Sequence, residues 1–267
     1  MELLLKNVSA GYGRELVLDD INLSIKEGDT VFIGGRNGSG KTTLLRVMAG
    51  LMDHGGIVTI DGDDVSKMKR RNVARLIALM PQTGEMYFQY TVYQTVLLGR
   101  YARSTGMFGN FSAEDREAAK AAMESCGVYE YKDRLLNELS GGQLQRVLLA
   151  RTFAQGTPFL FLDEPGSNLD IKYRAELCDY LCDWAGKTTS TPYGDVKNTV
   201  VAVFHDMGQA KSVCKRTVFL KNGKVVADGP SDTVITPESL MNVYDFDVAG
   251  YIESQMLING KKGQDPL

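Results

Sequence analysis

The sequence predicts an α/β fold: a largely parallel sheet covered by helices, with a strand-rich arm at its N-terminus and a helical segment inserted into the core. Three observations predict it. Apolar runs such as TVFIG (30–34), FLFLD (159–163) and VVAVF (200–204) read as buried strands alternating with helix-like stretches. The glycine-rich run GRNGSGKTT, residues 35–43, stands directly between TVFIG and the helix-like LLRVMAGL. From about Gln82 to Leu139 the pattern becomes helical and breaks the alternation.

Taken in order, LLLKNVSA (3–10), INLSI (21–25) and TVFIG supply strands before the glycine loop, and residues 56–61 and RLIALMP (75–81) supply strands after it. The inserted segment opens with TVYQTVLLGRYAR (91–103), breaks at the glycine-rich TGMFGNF (105–111) and resumes with SAEDREAAKAAMESCG (112–127). Ser112 is placed to cap that last helix before an acidic first turn. A helix over 143–154, the strand FLFLD, a helix ending near Trp184 and the strand VVAVF complete the core. Between the last two lies GKTTSTPYGDVKNT (186–199), a polar, turn-rich excursion for which a small hairpin is one form. After Pro237 the pattern is weakly amphipathic, and the ending GKKGQDPL is expected to fray.

Composition narrows the function. A chain of 267 residues, 43% hydrophobic and 24% charged, can bury a substantial core in one large domain with a subdomain. A net charge of −3, without a long Lys/Arg block or aromatic-basic interleaving, argues against a nucleic-acid track. The densest basic run, KMKRR (67–71), reads as a solvated helix face. Cysteines 126, 178, 182 and 214 include no CxxC and accompany only two histidines, so reduced thiols are expected, with Cys178 and Cys182 packing on one apolar helix face. No apolar run approaches the roughly 18–20 residues that cross a bilayer, and the start lacks a secretory pattern, so any membrane role is expected to be peripheral.

The chemistry concentrates at four places. In GRNGSGKTT, Gly35, Gly38 and Gly40 let the backbone turn its N–H groups toward phosphates, Lys41 reaches terminal oxygens, and the Thr42 hydroxyl suits Mg²⁺. Asn37, Ser39 and Thr43 complete this nucleotide-contacting run. In FLFLDE two acids arrive at the C-terminal end of a buried strand, where open α/β sheets bind ligands. Asp163 can organise Mg²⁺, directly or through water, while Glu164 can hold and polarise a water. LSGGQ (139–143) is a second glycine turn before a helix, able to meet another phosphate through Ser140, Gly141, Gly142 and Gln143. Whether both glycine loops close on one nucleotide within a chain, or a second subunit supplies the latter, stays open at this level.

The chain resembles the ATP-binding subunits of ABC transporters over residues 2 to about 245. GRNGSGKTT, FLFLDE and LSGGQ carry the match, with Tyr12 in SAGYG, Gln82 in LMPQ, the SNLD segment ending at Asp170, and His205 in VFHD. The resemblance implies a P-loop NTPase core, with one ATPase domain over 1–250, a helical subdomain at 83–139 and a short tail at 251–267. It implies that Tyr12 stacks on adenine, Gln82 touches the magnesium site and senses membrane subunits, Glu164 polarises attacking water, and His205 contacts the γ-phosphate. It further implies that Ser140, Gly142 and Gln143 close over ATP held by the opposite subunit, with Asp170 a cross-dimer contact. ATP and Mg²⁺ are the implied cofactors. The implied partners are a second copy, two transmembrane permease subunits and an extracytoplasmic substrate-binding protein, with the chain at the cytoplasmic side of the cell membrane.

Within the family, ARLIALMPQ together with VLLGRYAR looks most like importers of iron-siderophore, haem or cobalamin, with zinc, manganese or another cargo as alternatives. A soluble ATP-driven switch in an assembly or repair complex is the competing class. An inactive ATP-binding subunit is disfavoured by the intact Lys41, Asp163, Glu164 and His205. The chief departure from the family pattern is the segment 187–198.

Overall fold

The computed structural model describes residues 1–81, 89–104, 110–248, 250, 251 and 254. Along the chain run β1 (Glu2–Tyr12), β2 (Glu15–Lys26), β3 (Thr30–Gly34), α1 (Lys41–Met48), β4 (Gly55–Ile60), β5 (Asp63–Asp64), α2 (Arg70–Val73) and β6 (Ile77–Met80). The inserted region contributes α3 (Val92–Leu98), a short 3-10 turn and α4 (Ala113–Ser125), and leads into α5 (Gly141–Ala154). There follow β7 (Phe159–Asp163), α6 (Ile171–Ala185), β8 (Thr188–Thr191), β9 (Gly194–Lys197), β10 (Thr199–Val203) and α7 (Met207–Val213). The chain continues through β11 (Arg216–Lys221), β12 (Lys224–Pro230), α8 (Ser231–Val234) and α9 (Pro237–Tyr244).

The central sheet has the order β12-β11-β3-β10-β7-β6. All its neighbours are parallel except the edge pair β11–β12. β3, β7 and β10 are buried along their whole length, which is why their sequences are continuous apolar runs without alternation. The arm is a separate antiparallel sheet, β2-β1-β4-β5, whose inward residues Leu3, Leu5, Ile21 and Ile25 share a core with α1 and one face of the central sheet. A second core lies on the opposite face beneath α5, α6, α7 and α9. Crossovers on both faces bring the strand ends carrying Gly34, Asp163 and Val203 together, since Asp163 pairs in register with Val203 and Gly34 lies two strands away.

The inserted helices have a core of their own, in which Val92, Val96, Ala119 and Met123 meet Val147, Ala150 and Ala154 of α5. Ser112 caps α4 as its position predicts, accepting from Asp115 N while Asp115 returns a bond to Ser112 N. The excursion forms the hairpin β8–β9, turning at Pro192 and Tyr193. Tyr193 Oη donates to Asp63 Oδ2 at 2.6 Å, pinning the hairpin to the arm. The basic run is solvated, with Lys67 paired to Asp64 at 3.0 Å, but only Arg70 and Arg71 lie on a helix, which corrects the expected helix face. Cys178 is half-buried against the second core, but Cys182 is exposed. This corrects the shared apolar face: the buried stripe of α6 is Leu177 and Leu181, and the next position turns outward. Among the described residues no helix is long and apolar enough to cross a membrane. The expected fraying of GKKGQDPL falls on residues outside those described.

Candidate functional site

β3 ends at Gly34, and the next nine residues wrap around a cleft before α1 is under way. The loop needs glycine for steric reasons. Gly35 sits at φ +144°, and a Cβ there would lie 2.3 Å from the Leu220 carbonyl oxygen. Gly40, at φ +103°, occupies the N-cap of α1 and offers no side-chain oxygen. Every other described helix of seven residues or more has a side-chain cap, supplied by Thr91, Ser112, Ser140, Asp170, Asp206 or Thr236. The first-turn N–H groups of α1 are thus left to an anion.

Lys41 folds back over the loop, its Nζ donating to the carbonyls of Gly35 at 2.8 Å and Arg36 at 2.9 Å. Burial lowers its pKa, while Glu164 and Asp163 pull it back up. Thr42 Oγ1 donates to Asp163 Oδ2 at 2.6 Å, joining the start of α1 to the end of β7 across 121 residues of sequence. Burial raises the Asp163 pKa and Glu164 adds to the rise, against the Thr42 hydrogen bond and the charges of Lys41 and Arg46. A hydroxyl and a carboxylate in contact, in a pocket with a surplus need for positive charge, form a hard-oxygen donor set that fits Mg²⁺.

Glu164 follows Asp163 in a left-handed conformation, φ +55°, which is strained for a residue with a side chain. The turn aims its carboxylate at His205 from the end of β10, with His205 Nε2 2.8 Å from Glu164 Oε2. The glutamate side chain is 11% exposed and the histidine 64%, so the pair closes one wall of the cleft with the imidazole outermost. A cleft of about 490 Å³ is lined by Tyr12, Asn37, Gly38, Gly40, Lys41, Thr42, Thr43, Glu164 and His205, joined by Glu15 and Val17. Tyr12 is half-exposed at its rim, its Oη accepting from Arg46 Nη1 at 3.1 Å. Its ring is available for stacking.

The structure thus gathers Tyr12, Asn37, Gly38, Gly40, Lys41, Thr42, Thr43, Glu164 and His205 around one space, with Gly35 in the adjoining cavity and Asp163 joined to the cleft through Thr42. Ser39 is buried within the loop, its Oγ without a hydrogen-bond partner among the described residues. Gln82 lies outside the described residues. Among the described residues, Ser140, Gly141, Gly142 and Gln143 line neither of the two cavities beside Lys41. Instead Ser140 Oγ accepts from Gln143 N, and Gln143 Oε1 accepts from Ser140 N at 2.9 Å. Asp170 caps α6 through Tyr173 N at 2.9 Å.

Sequence reading missed two contributors. Gln145, 1% exposed on α5, donates from Nε2 to the carbonyls of Glu164 at 3.3 Å and Pro165 at 3.0 Å, holding the strained turn from behind. Its only sequence signal is a polar residue inside the apolar pattern of that helix. The second is the end of α9, where Tyr244 and Asp245 reach the first glycine loop.

Residues 18–167 match the family described as ABC transporter. The chain is 36% identical over 243 residues to an iron(3+)-hydroxamate import ATP-binding protein of Bacillus subtilis (strain 168), covering 91% of this chain and 87% of that one. It is 37% identical over 234 residues to a cobalamin import ATP-binding protein of Halobacterium salinarum, covering 87% of this chain but 56% of that longer protein. Among solved structures it is similar to a dimeric ATP-binding cassette in a post-hydrolysis state bound to ADP and Pi. That match has a TM-score of 0.73 and 29% identity, covering 85% of this chain and 98% of that one.

Proposed function

The chain belongs to the ABC transporter family, and on that premise we propose that it is the Mg²⁺-dependent, ATP-hydrolysing subunit of an importer, driving transport by ATP-dependent closure of a homodimer. The observation that carries the chemistry is the convergence on one cleft of Lys41, the Thr42–Asp163 pair and the Glu164–His205 pair. The uncapped first turn of α1 and the Lys41 ammonium meet the phosphates of ATP, while Tyr12 at the rim meets the adenine. Thr42 and Asp163, with Gln82 as a further ligand, would hold Mg²⁺, which would supply neutralisation of phosphate charge.

Glu164 accepts a proton from the water that attacks the γ-phosphate, and His205 orients the carboxylate from outside. The phosphoryl group passes to that water, giving ADP and phosphate, so no covalent protein intermediate is needed. Ser140, Gly141, Gly142 and Gln143 serve the cleft of a second copy, and Asp170 lies at that contact. The single ATPase domain spans 1–250, with 83–139 the helical subdomain that, together with Gln82, meets two permease subunits at the cytoplasmic side of the membrane. An extracytoplasmic binding protein completes the system. The kinship to import subunits for an iron chelate and for cobalamin supports a cargo of iron-siderophore, haem or cobalamin type. Its recognition resides in the other polypeptides.

Isolation of the chain from its own cell tests this reading. Co-purification with two hydrophobic membrane subunits, and magnesium-dependent phosphate release by that complex, is the expected result. Stable association with soluble factors alone would establish the assembly or repair switch instead.

A further inference from the structure

The end of α9 makes an attachment to the nucleotide loop that the chemistry above does not use. Gly35 N donates to Tyr244 Oη at 3.2 Å, and Arg36 Nη1 pairs with Asp245 Oδ2 at 2.8 Å. These are the two residues whose carbonyls hold the Lys41 ammonium. The attachment is itself anchored. The Tyr244 ring packs edge-on against Phe219 of β11, with centroids 6.3 Å apart. Lys221 Nζ bridges Asp245 Oδ1 at 2.8 Å and the Asn242 carbonyl at 2.5 Å. Asp245 terminates α9 in the left-handed conformation, φ +50°, which turns its side chain back toward both cations. Tyr244, Phe246 and Val248 also wall a cavity of about 440 Å³ whose other lining includes Gly35, Lys41, Glu164 and His205.

We infer that Tyr244 and Asp245 are positioning residues for ATP: they clip Gly35 and Arg36 in place, and thereby set where Lys41 waits for the incoming phosphates. The inference rests on the placement of Lys41 in the nucleotide site. Neither residue touches the reacting atoms, so the clip acts on occupancy of the cleft and leaves the hydrolytic step alone. A peptide N–H held by a half-buried phenol and a side chain paired to a carboxylate fix the two residues whose carbonyls hold Lys41. Without the clip, part of the binding energy is spent on bringing the Lys41 ammonium into place.

The test is an ATP titration and a steady-state profile for Tyr244→Phe and Asp245→Asn, each made with Lys41 intact and with Lys41→Ala, the titrations reaching millimolar ATP. Phenylalanine keeps the contact with Phe219 and removes only the acceptor; asparagine keeps the left-handed cap and removes only the charge. With Lys41 intact, each variant should raise the ATP dissociation constant and KM by about three- to tenfold, with kcat changed less than about twofold. In the Lys41→Ala background the same substitutions should shift the dissociation constant by less than about twofold, because the group they position is gone. An unchanged KM with Lys41 intact, a fall in kcat alone, or an equal shift in both backgrounds would overturn the clip. If Lys41→Ala by itself left ATP affinity unchanged, the placement of Lys41 would fall, and the clip with it.

Discussion

Two glycine-rich turns in this chain each open a helix, and they are built in opposite ways. The loop before α1 twists through left-handed backbone at Gly35, Gly38 and Gly40, leaves its helix uncapped and is tied to distant segments by Gly35, Arg36 and Thr42. The loop before α5 has no left-handed glycine, caps its helix with its own Ser140 and Gln143, and leaves Ser140 and Gly141 exposed. The first is a cradle that only glycine backbone can form, completed by its own chain; the second is a capped helix start facing outward. The difference teaches that the same residue, glycine, serves backbone conformation in one loop and clearance in the other. It also supports a division of labour in which the second loop acts on another copy.

One pair of substitutions sharpens that contrast most. Gly35→Ala forces a Cβ into the Leu220 carbonyl at an unfavourable φ and should cost more than about 3 kcal/mol of stability. Gly141→Ala meets nothing within 4 Å in the first turn of a helix, and should change stability by less than about 1 kcal/mol in the stabilising direction. Chemical denaturation of both variants checks this, and similar losses would break the comparison.

Ser140→Arg is the next largest effect, and it separates binding from assembly. It should leave ATP affinity within about twofold, because Ser140 lines neither of the two cavities beside Lys41, and should abolish ATP-dependent dimerisation. Size analysis alongside nucleotide titration reads both. A normal dimer with full turnover would remove the second loop from any partner site.

Asp163→Asn gives a small stability effect with a signed pH dependence. The folded chain raises this carboxyl's pKa, so its ionised form costs stability, absent at low pH and appearing as pH rises through the folded pKa. Asparagine removes that cost. The nucleotide-free variant should melt about 1–3 °C higher at pH 7 and no higher near pH 3, while losing its magnesium response. A lower Tm at pH 7 would show that the charge is well accommodated.

What was legible in the sequence follows the range of the physics. Gly35 to Thr43, Asp163 and Glu164 sit in contiguous strings where a strand delivers them to a fixed end of the sheet, so the continuous apolar run before each string places them. Ser112 and the hairpin were legible because capping and turn chemistry are local. Tyr244 and Asp245 were not: their partners lie 209 residues away, and a weakly amphipathic helix end reveals nothing of what it reaches. Gln145 was hidden for a similar reason, since its partners are main-chain carbonyls that carry no residue identity. Cys182 misled because an i, i+4 spacing names a face without saying how wide the buried stripe is.

The central claim is that Glu164 activates water in a cleft that Lys41 and the first glycine loop fill with ATP. Glu164→Gln keeps the shape and removes the basicity. Measured together, ATP-dependent dimer size and phosphate release should part company: the variant should retain ATP and a persistent dimer while phosphate release falls by about 10²- to 10⁴-fold. Near-wild-type phosphate release by the Glu164→Gln chain would contradict the account.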